Sequence, residues 1–372
     1  MKIFFMSIFW VMTISLAQAH QTSDSFLHIN MRDDVSEHPI EIQWEVAIRD
    51  LQLTQNFDTN FDGAISWGEL KRKQQSIINV FSENITISSV EGACSLQDNT
   101  LLLEKHSDGY YAVIKSNANC TGNISEFDIN YNFLFDIDAL HKSLVIFSAE
   151  GTQMETRVIS SSERTLSFSN TPLSVIGQFS QFVKEGVWHI GIGYDHILFL
   201  ICLLLPVVWI RKNRKLDPVT RFKPVLIDVV KLVTAFTLAH SITLALASLN
   251  IVTIPAYIIE SLIAFSIIVA ATNNLYPFIK KRLWWMAFAF GLIHGFGFAN
   301  VLSDLGLNNE MFVINLIGFN VGVELGQLVI VAVVLPIIYW ARNFKLYKGI
   351  VYPASSTAMV FIGGFWLIER VA

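Results

Sequence analysis

Histidines and carboxylates stand inside apolar segments of this chain, where a lipid bilayer tolerates few ionisable groups. The densest run is WHIGIGYDH at 188–196, and single polar residues recur further along at His240, Glu260, His294 and Glu324. An ionisable side chain at that depth costs at least about 2.5 kcal/mol, which makes these residues functional candidates. Imidazole with carboxylate suits zinc, nickel, cobalt or copper, and imidazole also carries protons. These residues therefore predict a metal site or a proton relay.

Six apolar segments are long enough to cross a bilayer, which takes about 20 residues. They cover residues 187–210, 229–249, 256–275, 284–303, 312–336 and 349–368. The connections after the first, third and fifth segments are rich in Lys and Arg, whereas those after the second and fourth hold neither. The positive-inside rule makes the basic connections cytoplasmic. We therefore predict a six-helix transmembrane domain over 187–372, with the C-terminus and the preceding domain on the outer side.

Orientation also predicts depth. At about 1.5 Å per helical residue, Asp195, His196, His240, His294 and Asn320 fall about 12–14 Å below the outer ends of their segments. Glu324 falls deeper, at about 18 Å by the same rise, while His189 and Glu260 are shallower and near the outer mouth. Residues of four helices thus share one level, as a converging site requires.

The spacing of His189 and His196 leaves two alternatives open. Seven residues apart, they share a helix face but stand roughly 10 Å apart along the axis, so one ion cannot bind both on a regular helix. Either Gly191 and Gly193 let the helix distort, or the two histidines serve successive positions from mouth to site.

The fifth apolar segment has two stripes. Asn320, Glu324 and Gln327 form a polar stripe at helical spacing, and a glycine stripe on roughly the opposite face comprises Gly318, Gly322 and Gly326. Small residues at this spacing allow close helix packing. We expect this helix to be central, with one side packed and the other facing a polar cavity.

The N-terminus has the pattern of an exported protein. Lys2, an apolar run and the small-x-small sequence Ala17-Gln18-Ala19 predict a cleaved signal peptide at 1–19. Cleavage would leave His20 as a new N-terminus able to chelate a metal. Outside the cytoplasm, Cys94 and Cys120 can form a disulfide; two free thiols are the alternative. The net charge of −5 gives no indication of nucleic-acid binding.

Residues 58–69 match the twelve-residue EF-hand loop. Calcium ligands are expected from oxygen-bearing side chains, a peptide carbonyl and a bidentate glutamate, with glycine at the sixth position for the sharp turn. The ligand positions are Asp58, Asn60, Asp62, Ala64, Ser66 and Glu69. Residues 70–81 have the composition of the exiting helix. An acidic turn that binds nothing is the alternative.

Around this loop the sequence alternates as β-strands do. Strands are predicted at 40–46, 85–89, 110–115, 127–135, 144–148 and 156–159. We therefore predict a periplasmic β-rich domain over 20–170, a small sandwich with the helical calcium hairpin inserted. Apolar residues at helical spacing in 171–186 predict an amphipathic linker helix on the outer membrane surface.

Taken together, the motifs resemble the HupE/UreJ family of bacterial membrane proteins. The resemblance rests on HxxxxxDH at 189–196, Ala239-His240-Ser241, and Ile293-His294-Gly295-Phe296-Gly297, and extends to Arg49-Asp50-Leu51 before the calcium loop. It implies nickel or cobalt uptake across the bacterial inner membrane. The nickel/cobalt permeases carry a similar HxxxxDH signature, in which the gap is one residue shorter.

The leading hypothesis is a divalent-metal permease rather than an enzyme. His189 and Glu260 would attract the ion, Asp195 and three deeper histidines would coordinate it, and Asn320 with Glu324 would complete the site. An intramembrane metalloenzyme, with Asp195 or Glu324 as base, is the first alternative. The second is a sensor or assembly factor whose calcium domain binds an exported protein.

Overall fold

The computed structural model describes residues 23–31, 40–106, 108–121, 126–149, 155–169, 174–212, 215–279, 282–297 and 312–371. The predicted signal peptide 1–19, His20 and the last residues of the fourth apolar segment lie outside the described residues. Within them, a mainly-β N-terminal domain precedes a group of apolar helices, as predicted.

The N-terminal domain contains two facing sheets. Its strands are β1 (Asp24–Met31), β2 (Ile40–Ala47), β3 (Ile85–Ser89), β4 (Gly92–Ala93), β5 (Ser95–His106), β6 (Gly109–Asn119), β7 (Glu126–Tyr131), β8 (Lys142–Ala149), β9 (Glu155–Ser160) and β10 (Thr165–Ser169). One sheet has the order β5-β6-β2-β1-β8-β9 and the other β10-β7-β3-β4. Strands β1 and β8 pair in parallel. All six predicted strands occur, but the pattern missed β1, β4, β5 and β10.

A single apolar core fills the space between the sheets. Trp44 of β2 packs edge-on against Phe133 with ring centroids 5.0 Å apart, and Phe168 of β10 lies 5.2 Å from Phe147 of β8. These side chains come from alternate strand positions, because successive residues of a strand point to opposite faces. The other face of the six-stranded sheet remains available for different contacts.

The segment that contains the predicted calcium loop is inserted between β2 and β3. It contains α1 (Ile48–Gln52), α2 (Trp67–Arg72) and α3 (Gln74–Asn84). The predicted exiting helix at 70–81 is thus two helices, which meet at Lys73. Helix α3 places Ile77 and Phe81 in the sandwich core.

Cys94 and Cys120 are joined by a disulfide that closes a loop of 26 residues. Cross-links of this loop length stabilise a domain by about 3–4 kcal/mol, chiefly through the unfolded chain. Among the described residues, Cys202 is the free cysteine, and it is buried in a helix.

The C-terminal part is helical. Its helices are α4 (Val175–Ile192), α5 (Tyr194–Leu204), α6 (Phe222–Ser248), α7 (Ala256–Leu275), α8 (Leu283–His294), α9 (Phe312–Ala341) and α10 (Tyr352–Val371), with a π-helical turn before α10 (Tyr347–Val351). A short hairpin of β11 (Trp209–Lys212) and β12 (Lys215–Pro218) follows α5. Four described helices are long and apolar enough to cross a membrane, and the bent pair α4–α5 would be a fifth. The described part of α8 is apolar but shorter. Six spans thus stay a prediction.

We predicted a linker helix at 171–186 that ends before a first span at 187. In the structure, no helix ends between residues 186 and 187. Helix α4 continues through residue 186 and ends at Ile192, and the chain turns by 72° before α5. The physical reason is packing: α4 lies lengthwise along α9, so its first half belongs to the helix bundle.

The glycine stripe of α9 makes this packing possible. A Cβ atom added at Gly322 would lie 2.1 Å from the carbonyl oxygen of Val183, and one at Gly186 would lie 2.1 Å from that of Phe319. The two backbones are therefore in direct contact. Close approach of this kind replaces side-chain packing where lipid offers no hydrophobic driving force.

Gly322→Ala should destabilise the helix bundle, because the added methyl group has no space unless α4 and α9 move apart. Overpacking of this kind costs about 1–3 kcal/mol. The matched control is Gly191→Ala in α4, where an added Cβ meets nothing within 4 Å. The melting temperatures of the two variants in detergent should differ, with Gly322→Ala the lower. Equal melting temperatures would contradict the contact.

Candidate metal centre

The break at Gly193 brings together two histidines that a regular helix would separate. The Gly193 amide donates to the carbonyl oxygen of His189 (2.9 Å) at the end of α4. After the bend, the rings of His189 and His196 lie 4.9 Å apart. Of the two alternatives, the structure thus has the distorted helix. His189 belongs to the cluster rather than to a separate outer mouth.

A third histidine joins this pair from α6. A ring nitrogen of His189, one of His196 and one of His240 all lie within 4.8 Å of one another. His294 of α8 extends the cluster on the other side of His196, with ring centroids 4.9 Å apart. The predicted convergence of histidines from separate helices therefore occurs.

His196 is oriented by its chain neighbour. Its Nδ1 donates to Oδ1 of Asp195 (3.0 Å), and its backbone amide donates to the same oxygen (2.8 Å). A carboxylate only accepts, so Nδ1 carries the proton and Nε2 keeps a lone pair. That Nε2 atom is buried with no hydrogen-bond partner among the described residues. Asp195 thus orients the ring of His196 through Oδ1, and its role as a metal ligand stays a prediction.

His240 is held in the same way by an amide. Asn320 donates through Nδ2 to the carbonyl oxygen of Leu316 (2.8 Å), which leaves Oδ1 to accept from Nδ1 of His240 (3.2 Å). The Nε2 atom of His240 is again buried and unpartnered within the described part of the chain. Asn320, expected to complete the site, fixes the ring of His240.

His294 follows the same rule with a backbone acceptor. Its Nδ1 donates to the carbonyl oxygen of Phe290 (2.9 Å), and its Nε2 is buried without a partner in the described structure. Phe199 and Phe236 pack against the ring at 5.4 and 5.2 Å. Three imidazoles therefore each have a buried Nε2 lone pair without a partner in the described structure, the arrangement in which histidine ligates a metal with its second nitrogen held.

The remaining predicted residues lie outside this cluster. Glu324 accepts a hydrogen bond from Thr234 (2.7 Å), and Gln327 accepts one from Thr237 (3.1 Å). Glu260, expected at the mouth with His189, forms an ion pair with Arg370, whose Nε lies 3.6 Å from Oε2.

Sequence reasoning missed three features of this centre. The hydrogen bonds from the threonines of α6 to α9 depend on helix packing, and the Phe290 carbonyl is invisible in any residue pattern. The sequence also did not distinguish Gly193 from Gly191 as the position of the helix break. A Cβ atom added at Gly193 would meet neighbouring atoms, whereas one added at Gly191 would meet none within 4 Å.

The predicted calcium loop wraps around its oxygen-bearing side chains. Asp58 accepts from the amides of Phe61 (2.7 Å) and Gly63 (2.9 Å), and Asp62 accepts from Ala64 (2.9 Å). Gly63 has φ of +82°, which favours glycine at the sixth loop position. These hydrogen bonds form tight turns over the first half of the loop, and the calcium ligand set stays a prediction.

Glu69, the twelfth loop residue, closes the loop from the start of α2. It accepts from the backbone amide and hydroxyl of Ser66 (2.9 and 2.8 Å) and from those of Thr59 (both 2.8 Å). These hydrogen bonds, with those from Ser66 first, lower the pKa of Glu69 to about 2. The carboxylate is thus ionised at neutral pH, as a bidentate calcium ligand must be.

Comparison with known proteins places the helical part in a family. The model described as HupE / UreJ protein matches residues 164–370. The chain belongs to the HupE/UreJ family. The match contains all four histidines of the cluster, along with Asp195 and Asn320. No curated protein matches the chain.

Asn320→Leu should weaken binding of Ni²⁺, Co²⁺ or Zn²⁺ by about 10–100-fold, because loss of an outer-shell partner of a ligating histidine has that effect. The leucine removes the acceptor that holds Nδ1 of His240. Thr243→Val is the control: it is isosteric, one turn from His240, and its hydroxyl bonds only carbonyl oxygens of its own helix. Metal titration of purified protein measures both, and equal affinities would refute the orienting role.

Calcium should raise the melting temperature of the chain, since an ion that binds only the folded state stabilises it. Asp58→Ala should abolish the rise, because it removes a ligand and the acceptor for Phe61 and Gly63. Asp98→Ala, outside the loop, should retain it. Scanning fluorimetry at millimolar calcium measures the shift, and no shift in the unmodified chain would refute the EF-hand prediction.

Proposed function

We propose that this HupE/UreJ protein is a nickel/cobalt-type permease of the bacterial inner membrane that carries a divalent transition metal through the histidine cluster. The observation that carries the proposal is the shared orientation of His196, His240 and His294. In each, Nδ1 donates a hydrogen bond and Nε2 is buried without a partner among the described residues. Three buried acceptors without donors are costly unless a cation binds them. Membership of a family associated with nickel and cobalt uptake supports the same substrate class.

A polar route past the cluster supports transport rather than binding alone. Thr237 and Thr234 lie three and six residues beyond His240 toward the start of α6, and their partners Gln327 and Glu324 lie beyond Asn320 on α9. Six residues of helix span about 9 Å. In the orientation that the basic connections predict, this line of hydrogen-bonding groups continues from the cluster toward the cytoplasm.

The intramembrane metalloenzyme is the less favoured reading. A hydrolase needs a carboxylate or imidazole beside the metal that accepts a proton from water. Oδ1 of Asp195 is occupied by two donors from His196, and Glu324 accepts from Thr234 on the far side of the cluster. Both carboxylates thus have other roles in the described structure.

The N-terminal domain is proposed to be periplasmic and stabilised by calcium. The Cys94–Cys120 disulfide supports an oxidising compartment. A calcium loop exposed to abundant extracellular calcium is better suited to structural stabilisation than to signalling. An exported partner protein remains the alternative role for this domain.

Transport is tested by uptake of radioactive Ni²⁺ or Co²⁺ into proteoliposomes. His240→Ala should abolish both bound metal and uptake, because it removes a ligand. Glu324→Gln should retain bound metal but slow uptake at least about tenfold, the effect of about 1.4 kcal/mol on the barrier. Glu369→Gln, at the other end of the helical domain, is the carboxylate control and should transport normally.

Two outcomes would contradict the permease. Tight metal binding without any flux in the unmodified chain would favour the enzyme. Unchanged metal content in His240→Ala and His196→Ala would show that the cluster is not the site.

A further inference from the structure

A second group of metal-ligating side chains lies on the outer face of the six-stranded sheet. In β1 the residues Leu27 and Ile29 point into the sandwich core, so His28 between them points outward. In β2, Trp44 and Val46 point inward and Glu45 outward by the same alternation. β5 contributes Glu104 and His106 to the same outer face, and none of these residues belongs to the intramembrane centre.

This outer face is turned toward the helical domain. Phe26 and Tyr111 of the sheet belong to one buried apolar cluster with Phe182 of α4 and Phe319 of α9. Lys142 of β8 forms an ion pair with Glu185 of α4. Phe319 also packs against His189, with ring centroids 5.4 Å apart. Phe26, which stacks on His106, and Phe319, which packs against His189, thus belong to the same apolar cluster.

The geometry of the group suits a single ion. Nε2 of His106 lies 3.0 Å from Oε2 of Glu45 and 4.0 Å from Oε2 of Glu104. A carboxylate oxygen of Glu45, one of Glu104 and a ring nitrogen of His106 all lie within 4.8 Å of one another. Nε2 of His28 lies 3.4 Å from the other oxygen of Glu45. Ligand atoms bound at about 2.0–2.2 Å around one ion have separations in this range.

The side chains are held in place by their surroundings. The ring of His106 stacks on those of Tyr111 (4.1 Å) and Phe26 (5.7 Å). Gln43 donates through Nε2 to Oε1 of Glu45 (2.5 Å). A rigid, braced ligand set loses little entropy when an ion arrives, which favours binding.

Charge gives the reason for an ion at this position. The side chain of Glu45 is only 5% exposed, and a buried carboxylate is costly without a cationic partner. Gln43 and His106 donate hydrogen bonds to Glu45, and a bound metal ion would replace the proton that Nε2 of His106 donates to it. A divalent ion would neutralise both glutamates at once, and Glu104, with a side chain 50% exposed, provides access from solvent.

We propose that Glu45, Glu104 and His106, with His28 beside them, form a second divalent transition-metal site in the exported domain. Nitrogen and carboxylate donors favour zinc, nickel or cobalt over calcium. The binding claim stands by itself. The further claim, that this site captures the ion and supplies it to the intramembrane histidines, rests on the proposed transport function.

The binding claim is tested on the full chain with calcium saturating and Ni²⁺ or Zn²⁺ as the probe. The unmodified protein should bind two equivalents, and His196→Ala with His240→Ala should leave one. Adding His106→Gln and Glu45→Gln should remove that last equivalent. Glu41→Gln is the matched control, a glutamate on the same face of β2 four residues away, and should retain it.

A single substitution tests the same site without the risk that the multiple variant fails to fold. Glu104→Gln alters a half-exposed side chain and should weaken the second equivalent at least tenfold while the melting temperature in calcium stays unchanged. Metal binding by the unmodified chain that His106→Gln and Glu104→Gln leave unaffected, whether of one equivalent or of two, would overturn the site.

Uptake separates this proposal from the permease itself. If both hold, Glu104→Gln should raise the ion concentration for half-maximal uptake several-fold and leave the maximal rate unchanged. An exported site that binds while the unmodified chain shows no uptake would refute only the permease. Normal uptake at every ion concentration in Glu104→Gln would refute the supply role.

Discussion

The structure depends on satisfying one nitrogen of each buried imidazole. In hydrocarbon an unpartnered N–H costs several kcal/mol, so each Nδ1–H needs a fixed acceptor. Asp195, Asn320 and the Phe290 carbonyl supply these acceptors from three different helices. Once the Nδ1 atoms are held, the Nε2 lone pairs of the deep histidines have no partner among the described residues. Two of these acceptors lie on the histidine's own helix, and only Asn320 reaches its histidine, His240, from a neighbouring helix.

That packing is set by glycine. Gly186 and Gly322 let α4 and α9 meet backbone to backbone, and this contact fixes where α4 ends relative to the other helices. Because Gly193 then allows the 72° turn, His189 and His196 approach from two helical segments instead of one face. A straight helix would have left only one of them near His240. The close contact between α4 and α9 and the break at Gly193 therefore act together to bring both histidines near His240.

Much of this arrangement could be predicted from the sequence, for identifiable reasons. The convergence of His196, His240 and His294 follows from helical rise and the basic connections, because both are regular. The position of the helix break could not be predicted. Glycine permits a turn but does not require one, and Gly191 was an equally suitable position for the break. The role of Asn320 depends on the Leu316 carbonyl, which no side-chain pattern reveals. Strand β1 was missed although β2 follows it closely along the chain, while its parallel partner β8 is distant in sequence.

Charge explains why the carboxylates flank the histidines. A divalent ion bound only by neutral imidazoles would place two positive charges in low dielectric, at a cost that nearby anions must offset. Asp195 lies at the bend beside His196, and Glu324 lies past Asn320 toward the other end of α9. In the proposed permease, an ion in the cluster would have Asp195 on one side, and Glu324 would lie further along the proposed path. The two carboxylates would then lower the electrostatic cost of a divalent ion at both ends of that path.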